Sequence, residues 1–186
     1  RRANLGSRIH QAEGRILGCR VILLHPESRG SVTLGSYDPA DKPKIFHDYL
    51  AARNDRVTFR DGLKAAREVY ASEPVSVMVD AEYFPGPDVK TDDAIDAYIR
   101  LTASTIYHPV GTCRMGADKE AVVDGELKVN GVEGLRVVDA SVMPTVIGGH
   151  TNAPTIMIAE KAADFMRGHT RLEAMEPEMQ ISTITT

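Results

Sequence analysis

Apolar residues fall into short separated runs over the first third of the chain and into helical stripes further on. Ile16, Leu17, Val21, Ile22, Leu23 and Leu24 crowd into residues 15–24 and predict a strand. His25-Pro26-Glu27-Ser28-Arg29-Gly30 stops it. Ser31-Val32-Thr33-Leu34 then alternates as a second short strand, and the short connection predicts that the two pair as a hairpin. Residues 36–43 are rich in turn formers, and Lys44 to Asp48 predicts another strand around Ile45 and Phe46. Val57, Leu63, Ala66, Val69 and Tyr70 form an imperfect helical stripe, capped by Asn54 or Asp55 and running to about Tyr70. Gly62 weakens that helix by about 1 kcal/mol relative to alanine. Pro85, Gly86 and Pro87 make residues 82–90 a loop. Thr91-Asp92-Asp93 opens a clearer helix, with Ala94, Ile95, Tyr98 and Leu101 on one face.

The remainder is punctuated more heavily. Two glycine-bearing turns stand at Tyr107-His108-Pro109-Val110-Gly111-Thr112-Cys113-Arg114-Met115-Gly116 and at Gly148-Gly149-His150-Thr151-Asn152-Ala153-Pro154-Thr155. Between them, residues 121–124 and 127–129 flank Gly125 as a small hairpin-like excursion. Asn130-Gly131 is a strong turn signal, and Leu135 to Val138 predicts a short buried strand ending at Asp139. A long helix begins at Asn152 or Thr155, with Ile156, Ile158, Ala159, Ala162, Ala163 and Met166 as its apolar face. Pro154 suits the first turn of that helix, and Arg167-Gly168-His169 suits its end. The order of strands and helices predicts an α+β fold rather than repeating βαβ units. The basic arm 1–14 and the extension from 169 to 186 read as peripheral. No internal repeat is present.

Composition narrows the classes. A chain of 186 residues, 42% hydrophobic and 26% charged, suits a globular domain with a sizeable core. A net charge of -4, with scattered basic residues, gives no reason to expect a nucleic-acid partner. Cys19 and Cys113 lie far apart and make neither a disulfide scaffold nor a zinc cluster, which favours a reducing, cytoplasmic setting. No apolar run approaches the roughly 18 residues of a membrane span, and no signal peptide is visible. The chain starts at Arg1 rather than Met, which reads as part of a longer protein.

His108 and His150 sit in the two separate turns, and an imidazole can take or give a proton near neutral pH. Metal ligation is a poor alternative, because no His-x-x-x-His pair exists and neither Cys113 nor Asp139 has a companion at ligand spacing. A serine hydrolase is equally poor, because no Gly-x-Ser-x-Gly elbow exists. The residues alone therefore point to a paired-histidine site beside a helix N-terminus, whose free N–H groups suit an anionic or electron-rich partner.

The run His108 to Gly116 resembles the C-terminal signature of the glucose-methanol-choline (GMC) flavoprotein oxidoreductases. So do Val132 to Thr145 and Asn152 to Asp164, in the same order and spacing. Pro26-Glu27-Ser28-Arg29-Gly30-Ser31-Val32 resembles that family's strand entering the substrate domain. The likeness covers roughly Val21 to Gly168 and is strongest to choline dehydrogenase-like and alcohol dehydrogenase-like members. It implies FAD-dependent oxidation of an alcohol. It also implies that residues 15–133 are mostly substrate domain, with the active-site turn at 104–116, and that 134–168 return to the FAD-binding domain. The family's Gly-x-Gly-x-x-Gly pyrophosphate turn is absent here. The isolated chain is therefore expected to bind FAD weakly, to lack turnover, and to self-associate through its exposed flavin-facing surface.

The resemblance assigns His108 as the base that accepts the alcohol proton and His150 as the hydrogen-bonding partner of the same oxygen. His150 stands where choline dehydrogenases usually carry asparagine, which admits aryl or aliphatic alcohols. Asp139, Ala140, Asn152, Pro154 and Thr155 match the segments beside the flavin. The expected partners are a small alcohol and an electron acceptor that is a quinone, a dye or oxygen; the weaker likeness to known oxidases favours a dehydrogenase with a quinone or artificial acceptor. Arg114 is expected to tie its loop to backbone carbonyls, and Met115 and Cys113 to fill core. Ser141, Thr145 and Thr151 are expected to satisfy backbone groups, and Tyr107 is a candidate pocket wall. The competing class is a non-catalytic binding or interaction module built on the same fold.

Overall fold

The computed structural model describes residues 15–169; the N-terminal arm and the extension from residue 170 lie outside them. Two short strands, β1 (Ser31–Thr33) and β2 (Lys44–Phe46), precede helix α1 (Arg53–Ala71), helix α2 (Asp92–Thr102) and helix α3 (Asn152–Arg167). Single 3₁₀ turns lie at Ser76–Met78 and Ala140–Val142. The layout is α+β, as the order of runs predicts. β1 and β2 pair antiparallel, with Val32 opposite Ile45, across the turn-rich residues 36–43.

That pairing displaces the expected hairpin, and residues 15–24 form no strand. Val21 instead packs against α1, where a Cβ on Gly62 would stand 2.5 Å from its Cγ1. The glycine that weakens α1 in isolation thus admits the segment crossing it. Leu135 to Val138 is not a strand either. Its one ladder contact is an isolated bridge between Arg136 and Lys128, and Leu135 is half exposed. Val137 and Val138 pack on the core without continuous pairing.

The start of α1 departs from its expected cap. The helix begins at Arg53, and Ala52 in the capping position offers no side-chain bond. Asp55 lies inside the first turn, 2% exposed, and accepts hydrogen bonds from the N–H groups of Glu27 (2.8 Å) and Ser28 (2.9 Å). Ser28 Oγ in turn accepts from the N–H of Ala52 at 3.0 Å. The carboxylate therefore caps the 26–30 turn rather than its own helix. Thr91 does cap α2 as expected, accepting from the Ala94 N–H. Ile95 and Ile99 are the buried residues of α2, while Leu101 is exposed, so the stripe is rotated by part of a turn from the expected face. Arg60 of α1 forks onto Asp96 and reaches Asp92, joining the two helices.

The main core consists of Val123, Leu127, Val142, Met143, Ile158 and Ala162, with Val110, Met115, Val137 and Val138 packed on it. It joins the first histidine turn, the 121–129 excursion, the 140–143 turn and α3. The last of these ends at Gly168 in a left-handed cap (φ +68°), as Arg167-Gly168-His169 predicts. Ile156 and Met166, expected in the apolar face of α3, are more than half exposed.

Burial pushes the Asp55 carboxyl up, but the Glu27 and Ser28 hydrogen bonds and the Arg29 charge outweigh it and hold it below its ordinary 3.8. A carboxyl depressed in the folded state stabilises fully above its unfolded value and loses that contribution as pH falls through the folded one. Asp55→Ala, which leaves two N–H groups without their acceptor, is expected to cost about 1–3 kcal/mol at neutral pH in urea unfolding. Asp55→Asn should flatten the loss of stability below about pH 4. An unchanged urea midpoint in Asp55→Ala would contradict this assignment.

Candidate active site

After α2 the chain must reverse to present His108. Tyr107 makes that reversal with φ +66°, a left-handed conformation costly for a residue with a Cβ. Its N–H donates to Thr105 Oγ1 at 2.9 Å, which supports the bend. The Tyr107 side chain is 82% exposed, so it walls no pocket among the described residues.

The turn that follows is pinned at three points. Gly111 N–H and Cys113 N–H both donate to the Ser141 carbonyl at 3.0 Å, and Met115 N–H donates to the Val142 carbonyl at 2.8 Å. Ser141 itself is held from below, because Asp139 Oδ1 accepts its N–H at 2.7 Å. Asp139 and Ala140 therefore belong to the platform under the His108 turn. The Arg114 side chain bonds no backbone carbonyl, contrary to expectation. It forks onto the carboxylate of Asp118, which is held well below the usual carboxylate range by that guanidinium. The Arg114 carbonyl accepts from the N–H groups of Val122 and Val123, linking the turn to the 121–129 excursion. Cys113 is half-buried and unpaired, and Met115 packs on the core.

The second turn approaches from α3. Gly148 adopts φ +70°, and a Cβ there would meet the His25 ring at 2.9 Å. The turn thus needs glycine both for conformation and for space. In the sequence His25 reads only as the start of the turn that ends residues 15–24, because its contact partner lies more than a hundred residues away. His150 follows, exposed, and Thr151 follows that, 7% exposed, at the start of α3.

The two turns bring the histidines into direct contact. His108 Nε2 lies 2.7 Å from His150 Nδ1, with the rings edge-to-face at 79° and centroids 4.8 Å apart. His108 Nδ1 lies 2.9 Å from Thr151 Oγ1. A contact of this length holds one proton between the rings, so one nitrogen donates and the other accepts. Both rings cannot carry a proton at that contact. The pair therefore forms a ready donor–acceptor couple for a hydroxyl group.

Of the residues matched to the flavin side, Asn152, Pro154 and Thr155 occupy the first turn of α3. The N–H groups of Asn152 and Ala153 have no acceptor among the described residues, and Thr151 supplies no side-chain cap. Thr155 closes the first turn of the helix onto the residue before it. Its Oγ1 donates to the Thr151 carbonyl at 2.6 Å, and its N–H joins the same carbonyl at 3.0 Å. Thr151 differs from its expected role, because its hydroxyl engages His108 rather than a backbone group. The adjacency of Thr151 to His150 was legible; that it reaches His108 depends on how the turns cross. No cluster of metal-ligating side chains occurs among the described residues, and none of their helices is long and apolar enough to cross a membrane.

The model of the GMC oxidoreductase C-terminal domain matches residues 26–159, spanning both histidine turns and the platform between them. The chain belongs to the GMC oxidoreductase family. It is 46% identical over 155 residues to an oxygen-dependent choline dehydrogenase of Serratia proteamaculans, covering 83% of this chain and 28% of the relative. A protein of the same name from Pseudomonas fluorescens is 50% identical over 141 residues, covering 76% and 25%. Among solved structures, pyridoxine 4-oxidase from Mesorbium loti superposes with a TM-score of 0.73 at 36% identity, over 80% of this chain and 29% of that one. A fungal aryl-alcohol oxidase gives 0.70 at 36%, over 77% and 24%. The chain thus spans 24% to 29% of the length of these relatives. FAD use is typical of the family.

Gly148→Ala places a Cβ in the left-handed region, at roughly 1–2 kcal/mol, and against the His25 ring. The expected result is a lower melting temperature together with a displaced His150 ring signal in NMR spectra. A melting temperature and His150 signal both equal to wild type would show that this contact does not set the turn.

Proposed function

We propose that this chain provides the substrate-side catalytic groups of an FAD-dependent oxidoreductase that converts a small primary alcohol to an aldehyde. The observation that carries the reading is the contact between His108 and His150 from two turns that are separately anchored. An alcohol hydroxyl that replaces the direct contact can donate its proton to His108 Nε2 and accept a hydrogen bond from His150 Nδ1–H. Negative charge then develops on the carbinol oxygen while His150 stabilises it. Loss of hydride from the carbinol carbon leaves the aldehyde, and His108 keeps the proton. Residues 15–133 form mostly the substrate side in this reading, and residues 134–168 the flavin side.

The residues present fit a flavin. The N–H groups of Asn152 and Ala153 at the start of α3, which have no acceptor among the described residues, suit the electron-rich edge of an isoalloxazine ring. Asn152, Pro154 and Thr155 would border it there, with Asp139 and Ala140 on the neighbouring platform. The flavin, when bound, supplies the hydride acceptor. The share of the relatives' length that this chain spans supports a second expectation, that the chain alone binds FAD weakly. Titration with FAD followed by flavin fluorescence checks it, and stoichiometric submicromolar binding would contradict it.

The names of the relatives and solved structures, oxygen-dependent dehydrogenases and oxidases, favour oxygen over a quinone as electron acceptor. Hydrogen peroxide should form in step with aldehyde in the intact protein; turnover seen only with an added dye would contradict this.

The roles of the histidines are tested in the intact flavoprotein by anaerobic stopped-flow flavin reduction. His108→Ala should slow reduction by about 10²–10⁴ with FAD retained, the usual range for loss of a general base. His150→Asn should cost less than His150→Ala, because asparagine keeps a hydrogen-bond donor. Wild-type reduction should fall towards acid pH, as in any reaction that needs an unprotonated general base. His108→Ala should lose most of that dependence, and His150→Asn should keep it. A near-wild-type rate and unchanged pH profile in His108→Ala would show that His108 is not the proton acceptor.

A further inference from the structure

We infer that Thr151 is a positioning residue for His108: its hydroxyl oxygen receives the Nδ1 hydrogen and so leaves the Nε2 lone pair facing His150 and the incoming alcohol. The inference deepens the reading of His108 as proton acceptor and rests on it for its functional consequence.

Three observations carry it. First, both ring nitrogens of His108 are engaged, Nδ1 by Thr151 Oγ1 at 2.9 Å and Nε2 by His150 Nδ1 at 2.7 Å. The tautomer of such a ring follows from what its two neighbours can accept and donate. Second, Thr151 is held in place. It is 7% exposed, and its carbonyl receives both the N–H and the hydroxyl of Thr155, at 3.0 and 2.6 Å. Third, Thr151 does not cap α3, although threonine at a helix start ordinarily turns its hydroxyl to the backbone. The hydroxyl faces the imidazole instead and forgoes that bond.

The proton balance selects the direction. To accept a proton at Nε2, neutral His108 must carry its hydrogen on Nδ1. After the transfer the ring is imidazolium, and Nδ1 still carries a hydrogen. A hydroxyl oxygen that accepts from Nδ1 serves both states, so no tautomer change interrupts the reaction. With Nδ1 unprotonated, Nε2 would hold the hydrogen and the ring could accept nothing from the substrate. The same arrangement fixes His150 as the donor, with its hydrogen on Nδ1.

The test reads the tautomer directly, in the chain labelled with ¹⁵N-histidine, by multiple-bond ¹⁵N–¹H spectra at a pH where the ring is neutral. Wild-type His108 should be Nδ1-protonated, and Thr151→Ser should keep that pattern. Thr151→Val, matched in shape but without the oxygen, should move His108 towards the Nε2-protonated form. In the intact flavoprotein, Thr151→Val should lower the rate of flavin reduction about 10- to 100-fold, the range seen when the partner orienting a metal-bound imidazole is lost, and Thr151→Ser should restore it. An Nε2-protonated His108 in wild type overturns the inference without any variant. So does a Thr151→Val spectrum with the His108 pattern unchanged. If the tautomer responds as expected while no alcohol reduces the flavin of the wild type, the hold of Thr151 on His108 stands and the alcohol-oxidation reading fails.

Discussion

The site depends on one carbonyl. Ser141 accepts hydrogen bonds from both Gly111 and Cys113, and Val142 beside it accepts from Met115. These bonds clamp the His108 turn onto a 3₁₀ turn that Asp139 caps from below. Val142 and Met143, from the same short segment, are buried in the main core against Ile158 and Ala162 of α3. The platform therefore fixes the first histidine turn to the helix whose N-terminus carries the second. Without it, each imidazole would sit on an independent loop, and ordering two such loops would have to be repeated for every substrate bound.

Chemistry follows from that clamp. A contact of 2.7 Å between imidazole nitrogens allows one proton and assigns opposite roles to the two rings. The hydroxyl of Thr151, 2.9 Å from the far nitrogen of His108, extends the couple by one more group. Tyr107 and Gly111 in the first turn and Gly148 in the second supply backbone reversals with positive φ. Such conformations persist where the surroundings hold them, as Thr105 Oγ1 holds the Tyr107 N–H and the His25 ring packs against Gly148.

Much of this was legible before any coordinates. Long, strongly periodic segments announced α2 and α3, and Thr91, Pro154 and Gly168 marked their ends because capping is local chemistry. The two histidine turns were visible as glycine-punctuated polar runs. What stayed hidden was set by distant partners. Residues 15–24 carry enough apolar side chains for a strand, but β1 found β2 instead, and Val21 was left to cover Gly62. Asp55 looks like a helix cap until Glu27 and Ser28 appear beside it. Arg114 prefers the carboxylate of Asp118, four residues on, to any backbone carbonyl, since a charge-assisted fork is the stronger bond. Thr151 has an obvious local task at the start of a helix and performs a different one, because His108 arrives from the other turn.

The central claim is that two separately anchored turns place His108 and His150 in a single hydrogen-bonded couple. Scalar coupling across that bond, between His108 Nε2 and His150 Nδ1 in ¹⁵N-labelled protein, measures it without reference to turnover. A resolved nitrogen–nitrogen coupling between these two rings in wild type, abolished in His150→Ala, is the predicted result. Two histidine side chains with no mutual coupling, each exchanging independently with solvent, would contradict the account.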